Sequence, residues 1–195
     1  MEFTLFYRGE LKAPSSGSKR VEHKHDIRRY FHRQLRQLWS QPPLATMSQL
    51  TDASPEMEVA AQTRALIFEN VGPFAFRPLV SERINLVANL TITLLRPGPP
   101  GSVITRGGDI DNRLKTLFDA LRMPLALNEL PRNATPQPDE QPFYCLLEND
   151  SLIRDVSVQT DRFFEPDLSA TECVLLVKVQ TKATHVKFGN LELLG

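Results

Sequence analysis

Gly108-Asp109-Ile110-Asp111-Asn112-Arg113-Leu114-Lys115-Thr116-Leu117-Phe118-Asp119-Ala120-Leu121 is the stretch from which both the fold and the site are read. Apolar Leu114, Leu117, Phe118 and Leu121 recur at helical spacing, and Asp111 is a favoured N-cap type, so an amphipathic helix is expected from Asp111 onward. The opposite stripe reads Asp111, Lys115, Asp119, Arg122, which sets Lys115 one turn beyond the first carboxylate. Residues two apart face opposite ways on a helix but share a face in extended chain. Asp109 and Asp111 therefore meet at one point only if the chain stays extended up to Asp111. Two carboxylates gathered there are costly unless a proton or cation neutralises them, and Mg²⁺ or Mn²⁺ bound through carboxylate oxygens is the usual resolution. The plainer alternative is a capped helix with a solvated charge ladder, each pair contributing about 0.2–0.5 kcal/mol. A cap uses one carboxylate, however, and leaves Asp109 unexplained.

Outward from this helix, Phe3, Leu5 and Tyr7 alternate as a first strand, and Lys12 to Lys24 reads as a polar loop punctuated by Gly, Ser and Pro. Asp26 is an expected N-cap for a helix to Trp39. Its apolar face carries Ile27, Tyr30, Phe31, Leu35 and Leu38, with Arg28, Arg29, Arg33 and Arg36 mainly opposite. Residues 41–55 read as linker, 56–64 as a short helix and 65–68 as a strand. Alternation from Ile84 to Leu95 predicts a strand, broken by the Pro- and Gly-rich run 96–101. Three more strands are expected at Phe143–Leu147, Leu152–Gln159 and Val174–Gln180. Met123 to Pro142, rich in Pro, Asn and Gln, reads as an inserted surface loop. Glu148-Asn149-Asp150 is a second acidic cluster, between two apolar runs and so at a strand end or turn. The expected fold is α/β of the α+β kind, a mixed β-sheet with helices mainly on one face. It forms one domain over 1–195: an N-terminal region of residues 1–82 with the basic helix 26–39, a core 83–181 interrupted by the loop 123–142, and a tail 182–195.

With 195 residues, 41% of them hydrophobic, the chain can bury a core. Its 23 basic and 23 acidic residues balance to zero, which counts mildly against a dedicated nucleic-acid binder. Basic residues nevertheless outnumber acidic ones between Arg8 and Arg36. The two cysteines, Cys145 and Cys173, lack metal-ligand spacing and are expected as buried free thiols in a reducing compartment. Neither a signal peptide nor a membrane span is legible, so a cytoplasmic protein is expected. His23, His25 and His32 lack convergent partners and are expected to be exposed and non-ligating, and Trp39 is expected in the core.

Asp-Ile-Asp-Asn, then Lys115, then Asp119-Ala120-Leu121, followed by the turn Glu148-Asn149-Asp150-Ser151-Leu152-Ile153, resembles the RusA-like Holliday junction resolvases over residues 83–181. By that resemblance Asp109 and Asp111 match the family's paired aspartates, Lys115 its lysine, Asp119 the acid of the Asp-Ala-Leu ending and Asp150 a third aspartate. The resemblance implies a small mixed α/β fold, a homodimer, and Mg²⁺- or Mn²⁺-dependent nicking of branched DNA. Asp109, Asp111 and Asp150 would hold the metal. Lys115 would either stabilise charge on the phosphorane or orient the attacking water. Arg106, Arg113, Arg28, Arg29, Arg33, Lys178 and Lys182 are the candidate DNA contacts. A non-catalytic module of the same fold, holding nucleic acid in a regulatory or phage-defence role, is the alternative. The N-terminal extension, the 123–142 insertion and the Gly107-Gly108 pair before Asp109 depart from the compact family pattern.

Overall fold

The computed structural model describes residues 1–12, 18–46, 68–98, 110–186 and 193. Arg106 and Asp109, the helix expected at 56–64 and nearly all of the strand expected at 65–68 lie outside them.

The described elements are β1 (Glu2–Glu10), α1 (Ser18–Trp39), β2 (Glu69–Val71), β3 (Phe74–Val80), β4 (Leu86–Arg96), α2 (Ile110–Leu121), β5 (Phe143–Leu147), β6 (Ile153–Arg162) and β7 (Glu172–Ala183). The fold is α+β, with two mixed sheets where the sequence suggested one. The larger has the order β1-β7-β4-β6 and the smaller β2-β3-β5. In the larger sheet β7 runs antiparallel to both β1 and β4, while β4 and β6 are parallel. That last pairing needs a crossover, and the chain between β4 and β6 contains α2.

Alternation builds this sheet. Along β4 the buried positions are Leu86, Ala88, Leu90, Ile92 and Leu94, and along β7 they include Leu175, Val177 and Val179. All join one core with Ile27, Phe31 and Leu35 of α1 and Leu117, Ala120 and Leu121 of α2, so both helices cover the same sheet face. Gln34 of α1 pins the free edge of β1. Its amide donates to the Phe6 carbonyl at 2.6 Å and accepts from the Phe6 N–H at 2.8 Å, satisfying groups an edge strand leaves open.

The smaller sheet was not legible in advance, because Phe74-Ala75-Phe76-Arg77-Pro78-Leu79-Val80 does not alternate and contains a proline. β2 ends its pairing at Glu69 opposite Phe76, so Pro78 lies beyond that partner, where the N–H it lacks is not called for. Buried nearly throughout, β3 has the continuous apolar character of a strand covered on both faces. Trp39 is in the core as expected, with the Arg77 guanidinium 4.1 Å from its ring centre.

α1 corrects the sequence reading at its start. It begins at Ser18, eight residues before the expected cap at Asp26, because Arg20 and Lys24 dock on α2 through ion pairs that local sequence does not reveal. Met123 to Pro142 is likewise more than a surface loop. Met123 and Leu130 join the Phe74–Phe76–Phe143 cluster, and 3₁₀ turns form at Leu127–Glu129 and Pro138–Glu140.

Candidate functional site

Asp111 lies in the first turn of α2 rather than capping it, since the helix starts at Ile110, and the extended chain expected up to Asp111 for its pairing with Asp109 is therefore not found. It is exposed and has no hydrogen-bond or ion-pair partner among the described residues. Lys115, one turn on, is exposed as well. From Thr116 the same helix turns inward, with Thr116, Leu117, Asp119, Ala120 and Leu121 buried.

Asp119 is 6% exposed and gathers cations. Lys24 Nζ stands 2.5 Å and Arg20 Nη2 3.8 Å from its Oδ2, while Arg122 Nη2 lies 3.2 Å from Oδ1. Arg122 reaches on to Glu129 at 2.7 Å. Glu129 holds the Arg122 guanidinium above the usual arginine range despite burial, and Arg122 in turn holds the Glu129 carboxyl below its own. The acid of the Asp-Ala-Leu ending is thus a buried cross-link between α2 and α1.

The ends of α2 can be fixed against the sheet. In its first turn, Arg113 donates to the carbonyl of Leu11, just past β1, and burial, reinforced by Arg96 at the end of β4, lowers its affinity for the proton. At the other end, Arg122 bridges Leu147, and the Met123 N–H donates to the Leu147 carbonyl at 2.9 Å. Asp150 belongs to this second end. It is exposed on the Asp150–Leu152 turn, acts electrostatically on Arg122, and precedes Ile153, which pairs with Ala88 near the start of β4. Asp150 is thus associated with the inner end of α2, where Arg122 lies, and Asp111 with the outer end, a helix rise of about 18 Å in all. Among the described residues no group of three or more His, Cys, Asp or Glu forms a metal site.

The candidate DNA contacts also divide. Arg28 is not on a solvated face: it is 2% exposed, and its Nε and Nη2 donate to the carbonyls of Arg122 and Asp119 at 3.0 and 2.8 Å. Burial depresses its affinity for the proton. Arg29 is committed to Glu140 through a two-pronged pair at 2.7 and 3.2 Å. Arg113 is half-buried and bonded to Leu11. Arg33 is exposed, as are Lys178, 3.3 Å from Glu2, and Lys182. Both lysines alternate with buried Val177, Val179 and Thr181, so they project from the sheet face away from the helices and do not share a surface with Lys115.

His25 and His32 are buried, each 1% exposed, where exposure was expected. His32 accepts the Tyr144 N–H at Nδ1 (2.9 Å), which leaves the proton on Nε2 to donate to the Asp139 carbonyl at 3.0 Å. His25 packs between Phe74 and Phe143, and burial reinforced by Arg28 and Arg29 pushes its pKa down to about 3. Cys145 and Cys173 are free and buried, and burial raises their pKa values to about 12 and about 11. Among the described residues no helix is long and apolar enough to cross a membrane. What sequence reasoning missed is the cation cluster of Arg20, Lys24 and Arg122 around Asp119. The i, i+4 spacing of Arg20 and Lys24 was its one advance signal. No family model, curated protein or solved structure matches this chain.

Proposed function

We propose that the protein is a metal-dependent, structure-selective endodeoxyribonuclease of RusA-like character, hydrolysing phosphodiester bonds in branched DNA such as four-way junctions. One observation carries the reading. Asp111 and Lys115 stand exposed one turn apart at the outer end of a helix whose remaining turns are buried, with Asp109 two residues upstream of Asp111. An unpartnered carboxylate is a hard oxygen donor suited to Mg²⁺ or Mn²⁺. Two carboxylates suffice, because Mg²⁺ ordinarily retains waters and takes substrate phosphate oxygens for its other positions. Asp111 would hold the ion from within the first helical turn, with Asp109 of the preceding chain as the expected second carboxylate, and the ion when bound would supply an acidified water and charge neutralisation at the phosphate. Lys115 adds positive charge beside the scissile phosphate or orients the water. Asp150, beside the inner end of α2 near Arg122, would be available to the site of a second copy in a homodimer.

The test is a nicking assay on synthetic four-way, three-way and linear duplexes with Mg²⁺ and with Mn²⁺, run beside Asp111→Asn. Paired, symmetric nicks in the four-way substrate, lost in the variant, are the expected result. Salt-sensitive binding with no nicking under either metal would instead identify a non-catalytic nucleic-acid module.

A further inference from the structure

A cleft of about 430 Å³ opens between the first turns of α1 and the inner half of α2, next to Lys115. Its walls carry five cationic side chains, Arg20, Lys24, Arg28, Lys115 and Arg122, against two carboxylates, Asp119 and Glu129. The ion pairs do not exhaust this charge. Asp119 is shared among Lys24, Arg20 and Arg122, and Glu129 is taken by Arg122. Arg28, fully enclosed, donates to two carbonyls and meets no carboxylate oxygen. Lys115 has no ion-pair partner among the described residues. Among the described residues the cleft therefore keeps a surplus of three positive charges, and the Nε–H groups of Arg20 and Arg122 are buried without an acceptor. Clustered cations at low dielectric are unfavourable unless an anion joins them.

We propose that this cleft is an anion subsite that seats a phosphate group of a nucleic-acid strand, away from the reacting bond, and so sets the register of the strand along α2. That the anion belongs to DNA rests on the nuclease reading; the surplus of charge does not. Asp111 and Asp119 are eight residues apart on one helix face, a rise of about 12 Å. A strand held in the cleft would thus run past Lys115 toward Asp111, with a neighbouring phosphate delivered to the outer end. Arginine forks and lysine ammonium groups are the donors that phosphate oxygens select.

The test uses the full chain and a chelator, so that no cleavage intervenes. Binding of short fluorescent single-stranded DNA, with a 5′-hydroxyl or a 5′-phosphate, is followed by anisotropy over a salt series. Asn128, exposed on the cleft rim outside the ion-pair cluster, is the handle. Asn128→Asp should weaken binding about three- to tenfold at low salt, and Asn128→Lys should strengthen it by a similar factor. Lys24→Gln should also lower the slope of log affinity against log salt by about 0.7, one phosphate contact on a single strand. Equal response with both oligonucleotides assigns an internal phosphodiester, and response confined to the phosphorylated one assigns a strand end. Binding by both Asn128 variants within about twofold of the parent, on both oligonucleotides, overturns the subsite. If Lys24→Gln melts early, the Asn128 pair decides alone. The parent chain failing to nick any junction while its binding follows the Asn128 charge would remove the nuclease reading and leave the cleft standing.

Discussion

Asp111 and Asp119 occupy one stripe of α2, two turns apart with Lys115 between them. The first is exposed and unpartnered among the described residues, whereas the second is 6% exposed and binds Lys24, Arg20 and Arg122. Identical side chains at helical spacing thus do opposite things, and what differs is whether α1 lies over them. A carboxylate under α1 is a structural counter-ion. One beyond its reach, Asp111, is exposed to solvent. α1 itself makes the same division. Its inward cations, Arg28 and Arg29, are consumed by the carbonyls of Asp119 and Arg122 and by Glu140, while Arg33 stays in solvent.

The largest effect that would sharpen this contrast is expected at Asp119→Ala. It leaves Lys24 and Arg122 without their shared anion next to buried Arg28, and breaking a buried ion pair from one side costs about 3–5 kcal/mol. Partial access of water to Lys24, 17% exposed, sets the expectation at the lower end of that range. Urea titration measures it. A loss under about 1 kcal/mol would mean that the α1–α2 contact does not depend on this carboxylate.

Glu140→Gln comes next. Glu140 is 3% exposed, pairs with Arg29 through both oxygens and accepts the Gln137 N–H at 2.9 Å, so it fastens the 123–142 segment to α1. Replacing a charge-assisted hydrogen-bonding group with a neutral one should cost about 1.5–3 kcal/mol. Hydrogen exchange in the segment should rise ahead of global unfolding. Exchange that changes only with global unfolding would show that the segment is anchored elsewhere.

Protonation probes the same inner surface. His25, held neutral in the fold at a pKa of about 3, has an ordinary value of 6.5 in the unfolded chain. Between those values the unfolded state binds the extra proton, so stability is complete above about pH 6.5 and declines as pH falls through the window. Its contribution approaches about 1.4 kcal/mol per pH unit in the middle of that range. Thermal melts between pH 6.5 and 5 should show the decline, and His25→Gln should flatten it, with His32, also lowered by burial, supplying what remains. An unchanged slope in His25→Gln would place the sensitivity elsewhere.

Wherever local pattern and burial coincide, the fold was legible. β5 matches its expected bounds, and β4 and β7 fall within a few residues of theirs, because their alternation reflects one covered face. The start of α1, the β2–β3 hairpin and the order in the 123–142 segment were not, since each depends on a partner distant in sequence: Asp119 for Arg20 and Lys24, β5 for β3, and Arg29 for Glu140. The same limit applied to the site. Spacing showed that Asp111 and Lys115 share a helix face. It carried no sign that Asp150 lies near Arg122 at the inner end of α2, because Asp150 is fixed by the parallel crossover from β4 to β6.

The smallest expected change is the most telling. Asp111→Asn removes a charge from the first turn of α2, where a carboxylate favours the helix dipole by about 0.3–1 kcal/mol at the surface. With no partner among the described residues to strand, stability should fall by no more than about 1 kcal/mol, against about 3 kcal/mol for the same residue type at position 119. Equal destabilisation at the two positions would erase the distinction between an outer, exposed half of α2 and an inner, structural one. A folded Asp111→Asn protein that neither nicks DNA nor responds to Mg²⁺ keeps that distinction, because a side chain that contributes little to stability and everything to activity is one held ready for a ligand.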